Sequence, residues 1–453
     1  MTISATSSDT IYALSSAAGR AGVAVIRVSG PCAGCVLDVM TGGRPTPRMA
    51  VLRNFLHPQS REPIDRGLLL WMPGPATFTG EDVAELHVHG GRAVIQAMLA
   101  AIGQVEGCRL AEPGEFARRA FTAGKIDLTE AEGLADLIDA QTEAQRIQAL
   151  RQAGGGLSSL YESWRSELIS ALALVEAAID FSDEGDVSSS AMQRARELVA
   201  ELSGKLAKHL DDGHRGEILR EGLQVVLAGA PNVGKSSLLN QLARRDAAIV
   251  SAEAGTTRDA IEVQLDLEGL PIVITDTAGL RETDQIVERE GIRRSLQRAD
   301  QADLIIWIDD AGQAPVEPPE SIRTRAADTL YVVNKVDLAG EAQVCRSPEA
   351  LAVSAKTGEN LDILIKRIAR VARERMAPRE EPAVTQVRHR QHLEECQRHL
   401  DAFAEAVGDD GDELAELRAE ELRLAAAALG RISGRVDVED VLDAVFSRFC
   451  IGK

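Results

Sequence analysis

The feature that most constrains the fold is the octapeptide GAPNVGKS at residues 229–236, which matches the phosphate-loop pattern GxxxxGK[ST] at every position. Such a loop follows a strand and opens a helix, because its glycines let backbone N–H groups wrap phosphates at a helix N-terminus. The apolar run at 223–227 is typical of a buried strand, and 237–242 begins a helical pattern. Lys235 is therefore predicted to reach the β- and γ-phosphates, and the Ser236 hydroxyl to bind Mg²⁺.

A second motif, DTAG, comprises Asp276, Thr277, Ala278 and Gly279. It follows the apolar run at 272–274, which is typical of a strand. An aspartate at the end of a strand can hold Mg²⁺ through water, and a following glycine N–H can touch the γ-phosphate. Thr256 and Thr257 lie between the two motifs, where a GTPase carries its Mg²⁺-binding threonine. We predict Thr257 as that ligand.

A third motif, NKVD, places Asn334, Lys335 and Asp337 after the apolar run at 330–333. The Asp337 carboxylate can accept hydrogen bonds from N1–H and the exocyclic amine of guanine, a donor pair that adenine lacks. Ligands of open α/β sheets bind at the C-terminal ends of strands, so these motifs in this order predict a GTP site. The remaining predicted GTP contacts are Asn232, Val233, Gly234, Ser237, Ser251, Ser354, Ala355 and Lys356, the last three expected to end one more strand.

Composition limits the classes of protein to consider. The 453 residues allow two to four domains. A net charge of −20 argues against a general nucleic-acid coat, although an RNA substrate held at a local basic patch stays open. The sequence has no apolar run of about 18 residues and no signal peptide at its start, so we expect no membrane association. Six scattered cysteines are typical of a reduced cytosol, which predicts a cytoplasmic protein.

Periodicity divides the chain around the phosphate loop. The first 122 residues alternate as a mixed α/β domain does, and 123–217 turn helical, with a predicted capping box from Thr129 to Glu132. Apolar stripes at 134–150, 157–179 and 192–210 are typical of helices packed in a bundle. The GTPase-like part covers 218–377, and helical periodicity resumes over 378–453. The predicted architecture is a helical domain interrupted by a nucleotide-binding domain, joined where insertion is tolerated.

Three smaller features are interpreted conservatively. Cys32 and Cys35 form a lone CxxC pair, for which we favour two partly buried residues at the start of a helix over a redox or metal pair. His87 and His89 share one side of a predicted strand, where hydrogen bonding is favoured over zinc. Cys450 near the C-terminus is either a thiol with a lowered pKa beside lysine or part of a frayed tail, and the residues alone leave both open.

The chain resembles the bacterial and organellar tRNA-modifying GTPase family MnmE (TrmE). The matching stretches run in order from one end to the other: DTIYAL, GRAGVAVIRVSG, FTGEDVAELHVHGG, EPGEFARRAFTAGKIDLTEAEGLADLIDA, GAPNVGKSSLLN, AGTTRD, DTAGLRE, NKVD and FCIGK. The resemblance implies a folate-binding α+β N-terminal domain that dimerises, a helical domain, and an inserted Ras-like GTPase domain. It also implies a flavoprotein partner, MnmG, in a heterotetramer or larger assembly.

The same resemblance implies a reaction and its site. With MnmG, the family attaches an aminomethyl or carboxymethylaminomethyl group to C5 of the wobble uridine of certain tRNAs, using a tetrahydrofolate derivative in its 5,10-methylene or 5-formyl form. The positions that match the family's folate contacts are Arg27, Glu85, Lys125 and Lys453. Cys450 matches a cysteine that the family places near the folate, and we carry it as a catalytic candidate.

For hydrolysis, the resemblance implies a potassium ion in place of an arginine finger. Ras-type enzymes carry a water-positioning Gln after DTAG, and this chain has Leu280 there. The positions that match the family's K⁺ ligands are Asn232, Ser251, Glu253 and Thr256, and Glu288 matches its water-orienting glutamate. From the residues alone, Glu288 is also compatible with a solvated helix charge. The alternative to a tRNA-modifying enzyme is a switch GTPase of ribosome assembly that binds RNA without one-carbon chemistry.

Overall fold

The computed structural model describes residues 9–17, 19–181, 185–244, 261–276, 302–338, 350–377, 382–405, 412–436, 439–447, 449 and 451–452. The chain forms two compact units. The first contains residues 1–135 and 430–453, and the second contains residues 136–429.

A six-stranded sheet in the order β3-β4-β5-β2-β1-β6 forms the centre of the first unit. Its strands are β1 (Thr10–Leu14), β2 (Ala21–Ser29), β3 (Val51–Leu56), β4 (Pro63–Met72), β5 (Val83–Gly90) and β6 (Cys108–Leu110). The strands pair antiparallel except β1 with β6, which are parallel. Ile26 and Val28 of β2 and Leu86 of β5 are buried. They belong to the alternating pattern of apolar side chains that predicted both strands.

Helices cover this sheet and close the unit. They are α1 (Ala33–Thr41), α2 (Arg92–Ile102) and α3 (Glu115–Thr122), joined by α14 (Glu439–Phe446) from the C-terminal segment. Phe446 and Phe449 pack with Ala117 and Leu128 in a buried apolar cluster. The C-terminal segment also reaches β1, where the Ser15 hydroxyl donates to the Gly452 carbonyl at 2.8 Å. The last residues therefore belong to the same compact unit as the N-terminal sheet.

The helical part of the second unit is built from long amphipathic helices. They are α4 (Leu128–Asp139, whose first turns lie in the first unit), α5 (Glu143–Ala153), α6 (Gly156–Asp180), α7 (Gly185–Leu210), α12 (Val387–Glu405) and α13 (Asp412–Ser433). Buried Leu157, Trp164 and Leu168 on α6 lie on its predicted apolar face. The stripes at 157–179 and 192–210 are thus confirmed as α6 and α7.

The predicted capping box at Thr129 is wrong. Asp127 caps α4, because its carboxylate accepts from Glu130 N at 2.9 Å while Asp127 N donates to Glu130 Oε2 at 2.7 Å. The stripe at 134–150 is also two helices, since the backbone leaves the helix after Asp139 and a Thr142–Gln145 capping box opens α5. Leu150 on α5 is 51 % exposed, so this position faces solvent instead of the bundle core.

The GTPase body in the second unit is a six-stranded sheet in the order β12-β11-β10-β7-β9-β8. Its strands are β7 (Leu223–Gly229), β8 (Ile261–Leu267), β9 (Leu270–Asp276), β10 (Leu304–Asp310), β11 (Thr329–Asn334) and β12 (Leu351–Ala352). Only β8 with β9 is antiparallel among the described pairs. Its helices are α8 (Arg215–Glu221), α9 (Lys235–Arg244), α10 (Glu320–Arg323) and α11 (Leu361–Arg375). Central strands buried on both faces explain the apolar runs at 225–228 of β7 and 304–308 of β10.

The segments that lead into and out of the GTPase body pack against each other and against helix α5 of the helical part. A Cβ on Gly216 of α8 would lie 2.1 Å from the Val384 carbonyl oxygen, so only glycine allows this approach. The Gln148 side chain of α5 donates to the Gly216 carbonyl at 3.0 Å, and Thr385 donates to Gln152 at 2.8 Å. Both joints are therefore held by specific contacts.

Candidate guanine-nucleotide site

The phosphate loop lies between the end of β7 at Gly229 and the start of α9 at Lys235. Gly234 has a φ of 97°, and Asn232 has a φ of 62°, a left-handed conformation that asparagine tolerates better than most residues. Gly229 has a φ of 143°, and a Cβ there would lie 2.2 Å from the Ile308 carbonyl oxygen of β10. The sequence therefore forms the turn that a phosphate loop needs, with Val233 buried beneath it.

Lys235 is the buried cation of this loop. The residue is only 7 % exposed, and its Nζ donates to the carbonyl oxygens of Gly229 at 3.0 Å and Ala230 at 2.9 Å. Burial lowers the pKa of Lys235, and the nearby Asp276 carboxylate opposes that shift. A cation that is held by two carbonyls and partly desolvated is suited to attract phosphate oxygens.

Ser236 and Asp276, the two predicted Mg²⁺-site residues within the described chain, lie together. The Ser236 hydroxyl donates a hydrogen bond to Asp276 Oδ2, and Asp276 is fully buried at the end of β9. A hydroxyl and a carboxylate are the oxygen ligands that Mg²⁺ prefers, directly or through water. The donor set thus fits the ion that GTPases bind beside the β- and γ-phosphates.

Asn334 ties the guanine side of the site to the phosphate loop. Its side-chain amide donates to the Val233 carbonyl at 2.8 Å, and its side-chain oxygen accepts from Ala355 N at 3.0 Å. A Cβ on Gly234 would lie 2.4 Å from Asn334 Nδ2, so the loop approaches this amide as closely as a glycine permits.

Asp337 is oriented by the neighbouring loop. The buried Ser354 hydroxyl donates to Asp337 Oδ1 at 2.7 Å and accepts from Thr357 N at 3.1 Å. The expectation that 354–356 end a strand is wrong in its bounds, because β12 stops at Ala352 and these residues form the turn that follows. Ser237 and Lys356, two more predicted contacts, are exposed at this end of the sheet.

Sequence reasoning missed Asp310, the last residue of β10. It lies beside Asn334 in the sheet register, and its carboxylate contacts Lys335 Nζ at 2.8 Å. An aspartate at the carboxyl end of an otherwise apolar strand was the available signal, since site residues of open sheets lie at that edge.

Several predicted site residues lie outside the described part of the chain. They are Ser251, Glu253, Thr256, Thr257, Thr277, Ala278, Gly279, Glu288, Cys450 and Lys453. The predictions made for them remain predictions.

In the first unit the structure brings two of the predicted folate contacts together. Arg27 on β2 and Glu85 on β5 are register partners, and Arg27 Nη2 lies 2.9 Å from Glu85 Oε1. The Arg27 guanidinium carbon is 5.8 Å from the centroid of the Phe116 ring. Glu85 Oε2 lies 3.6 Å from His87 Nε2, and Lys125 packs beside Gly80. The pair is half-buried, so both charges are ordered and still reachable from solvent.

The predicted burial of Cys32 and Cys35 and the predicted hydrogen bonding of His89 are confirmed, whereas the buried Nε2 of His87 has no hydrogen-bond partner among the described residues. Cys32 is the N-cap residue of α1, and both it and Cys35 are half-buried. His89 pairs with Asp65 at 2.8 Å. Within the ranges the structure describes, three or more histidine, cysteine or acidic side chains do not gather as metal ligands.

Two family models match this chain. Residues 10–125 match the family described as "GTP-binding protein TrmE N-terminus", and residues 128–450 match "MnmE helical domain". A tRNA modification GTPase MnmE of Parvibaculum lavamentivorans is 54% identical over 447 residues, covering 98% of this chain and 100% of that one. This protein belongs to the MnmE family of tRNA modification GTPases.

Other relatives agree. Proteins named tRNA modification GTPase MnmE from Maricaulis maris and Methylobacterium radiotolerans are 53% and 50% identical, each over 98% of this chain and 99% of its own. The MnmE family membership and the P-loop site establish the protein as a GTP hydrolase. The fold class predicted from sequence is confirmed: an N-terminal α+β unit, a helical domain and a P-loop GTPase body. Across the described helices, none combines the length and apolarity needed to cross a bilayer.

Proposed function

We propose that this protein is a potassium-stimulated GTPase that acts with the flavoprotein MnmG on tRNA in the cytoplasm. Together they add a carboxymethylaminomethyl or aminomethyl group to C5 of the wobble uridine, and the one-carbon unit comes from a tetrahydrofolate derivative. The protein works as a homodimer through its N-terminal domain, residues 1–122. The helical domain comprises 123–217 and 378–453, with the GTPase domain at 218–377 between its two parts.

GTP binding is supported by polar side chains at both ends of the site. Ser236 and Asp276 supply oxygen ligands for Mg²⁺ at one end. Asp337, oriented by Ser354, supplies the guanine-reading carboxylate at the other. Lys235 between them is the cation for the phosphates. Charge and hydrogen-bonding capacity thus follow the outline of Mg²⁺·GTP along one edge of the sheet.

Potassium would supply a positive charge beside the β- and γ-phosphates during hydrolysis. Asn232, the one proposed K⁺ ligand in the described chain, is exposed on the phosphate loop, so its side chain is available to an ion there. The remaining proposed ligands are Ser251, Glu253 and Thr256. Glu288 would orient the attacking water, a role that Leu280 at the Ras glutamine position is unable to fill.

The folate half is supported by the Arg27–Glu85 pair. Arg27 donates only to Oε1 of Glu85, and His87 Nε2 lies 3.6 Å from Oε2, beyond hydrogen-bond distance, so Oε2 can accept from the N–H groups of a pterin ring. Phe116 lies fully buried beneath the guanidinium and supports Arg27 from the core side. Lys125 and Lys453 would bind the glutamate carboxylates of the folate, and Cys450 would lie near its one-carbon unit.

The joints support a mechanical link between GTP and the helices. Arg220 of α8 binds Asp136 at 2.8 Å, and its carbonyl accepts from Gln145 of α5 at 2.9 Å. Strand β7, which follows α8 directly, ends in the phosphate loop. A change in that loop during hydrolysis therefore acts on the helical domain through a short, well-bonded path.

Folate binding is tested by titrating 5-formyltetrahydrofolate into the full-length protein and measuring heat or tryptophan fluorescence. Arg27→Ala and Glu85→Gln should each weaken binding by about tenfold or more, since each removes a charge-assisted hydrogen bond. Arg53→Ala on the exposed edge strand β3 is the control and should bind as the wild type. Absence of binding by the wild-type protein would remove the folate role and leave the GTPase intact.

Potassium dependence is tested separately by GTP hydrolysis in KCl and in NaCl at equal ionic strength. The wild-type protein should hydrolyse GTP much faster in K⁺, and Asn232→Ala should erase the difference. Equal wild-type rates in the two salts would refute the potassium role.

A further inference from the structure

Asp310 terminates β10 at the edge of the sheet where the nucleotide motifs gather. Strand β10 lies between β7, which leads into the phosphate loop, and β11, which leads into NKVD. Asp310 is the register partner of Asn334, and Ala311 N donates to the Asn334 carbonyl at 2.9 Å. The residue therefore stands between the two loops that hold opposite ends of a nucleotide.

The Asp310 carboxylate is buried, and both of its oxygens accept hydrogen bonds. The residue is 8 % exposed, Oδ2 accepts from Lys335 Nζ at 2.8 Å and from Gln313 Nε2 at 3.2 Å, and Oδ1 accepts from Gly312 N at 2.8 Å. Burial by itself would raise the pKa of Asp310, but the hydrogen bonds from Lys335 and Gly312 outweigh it and hold the pKa below its ordinary value. The carboxylate thus stays charged opposite Lys335 at neutral pH.

Lys335 connects Asp310 to the phosphate loop. The same Nζ that binds Asp310 donates to the Asn232 carbonyl at 2.6 Å. Lys335 and Asn232 both adopt left-handed backbone conformations, with φ of 64° and 62°. Such conformations are unfavourable for non-glycine residues and persist where surrounding contacts fix them.

We propose that Asp310 is a positioning residue for GTP binding: its carboxylate fixes the Lys335 ammonium against the Asn232 carbonyl and so braces the phosphate loop from the guanine side. Lysine has a flexible four-carbon stem and three rotatable donors, so it needs a partner to hold one geometry. Asp310 is that partner, and it acts without touching the nucleotide. Its removal frees Lys335 to leave Asn232, and the phosphate loop loses one of its two ties to NKVD, the other being Asn334 to Val233.

The test is Asp310→Asn in the full-length protein, with GTP hydrolysis and the dissociation rate of a fluorescent GDP analogue as readouts. Losing the charge-assisted bond should raise KM for GTP and the GDP dissociation rate by about tenfold. The turnover number at saturating GTP should stay within about twofold, because the proposed role of Asp310 is to position Lys335 for binding and not to act in hydrolysis. The ratio of GTP to ITP affinity should be unchanged, since Asp337 reads the amine that ITP lacks.

Two further variants make the result decisive. Asp310→Glu keeps the charge and should restore at least half of the lost affinity, on a logarithmic scale. Asp309→Asn alters the neighbouring carboxylate, which alternates to the other face of the strand and accepts from Val316 N at 3.4 Å, so it should bind GDP as the wild type does. The proposal is overturned if Asp310→Asn leaves GDP dissociation unchanged, or lowers turnover with KM intact, or if Asp309→Asn has the same effect.

Discussion

Arg390 of α12 links the outgoing segment of the GTPase body to its incoming segment. Its guanidinium donates to Glu217 at 3.1 and 3.2 Å, to Asp212 at 2.7 Å and to the Leu210 carbonyl at 3.0 Å. The three charged side chains are each 10 % exposed or less. Arg390→Met keeps the apolar stem and removes the guanidinium from two buried carboxylates, each of which keeps a hydrogen bond with His214. The loss should destabilise this part of the protein by about 3–5 kcal/mol.

The loss can be read locally from Trp164, which is 5 % exposed on α6 with its ring 5.2 Å from that of His209 on α7. In a background with Trp71 and Trp307 changed to Phe, Trp164 fluorescence reports urea unfolding of the helical domain alone. With a denaturant slope of about 2 kcal/mol/M, the expected loss lowers the urea midpoint by about 2 M.

A matched control and a compensating variant separate the ion cluster from other effects. Arg398→Met lies on the same helix at an exposed position and should change stability by no more than about 0.5 kcal/mol. Adding Glu217→Gln and Asp212→Asn to Arg390→Met should recover much of the loss, because the uncompensated charges disappear. An Arg390→Met midpoint shift no larger than that of Arg398→Met would refute the reasoning.

Three further predictions concern other sites. Asp337→Asn should weaken GTP binding by about 100-fold and improve binding of xanthosine triphosphate, whose C2 carbonyl suits an amide donor; unchanged GTP affinity in equilibrium binding would contradict the assigned role. Gly216→Ala should lower the thermal midpoint because its Cβ would lie 2.1 Å from the Val384 oxygen, whereas Gly204→Ala, with open space on α7, should raise it; equal shifts would refute the close contact. Burial raises the pKa of the Cys396 thiol to about 12, so as the sole cysteine it should resist iodoacetamide at pH 8.5 until the protein is unfolded, and rapid native labelling would count against the packed α12 core.

The parts of the fold that sequence predicted well are those with a local signal. The phosphate loop was predicted from Gly229, Gly234 and Lys235, because phosphate binding requires these residues at this spacing. Helices α6 and α7 follow from apolar residues at helical spacing. The capping of α4 was misplaced because Thr129 and Asp127 are both good N-cap residues, and only the structure shows that Asp127 accepts from Glu130 N.

Contacts between distant residues that do not both belong to recognised motifs were beyond sequence reasoning. Arg390 and Glu217 are 173 positions apart, and neither belongs to a motif that would pair them. Asp310 and Lys335 meet because β10 and β11 are neighbours in register, which requires the strand order of the sheet. Periodicity also misjudged Leu150, since an apolar residue at helical spacing is not obliged to face a core.

The proposed function requires GTP hydrolysis by this protein to drive modification of the tRNA wobble uridine. The most direct measurement is the nucleoside mass of tRNA incubated with the purified protein, the flavoprotein MnmG, a reduced folate and either GTP or a non-hydrolysable GTP analogue. We expect the nucleoside mass of carboxymethylaminomethyl or aminomethyl uridine with GTP, and of unmodified uridine with the analogue or with Lys235→Ala. Equal product with GTP and with the analogue, or unmodified uridine in the complete mixture, would contradict it.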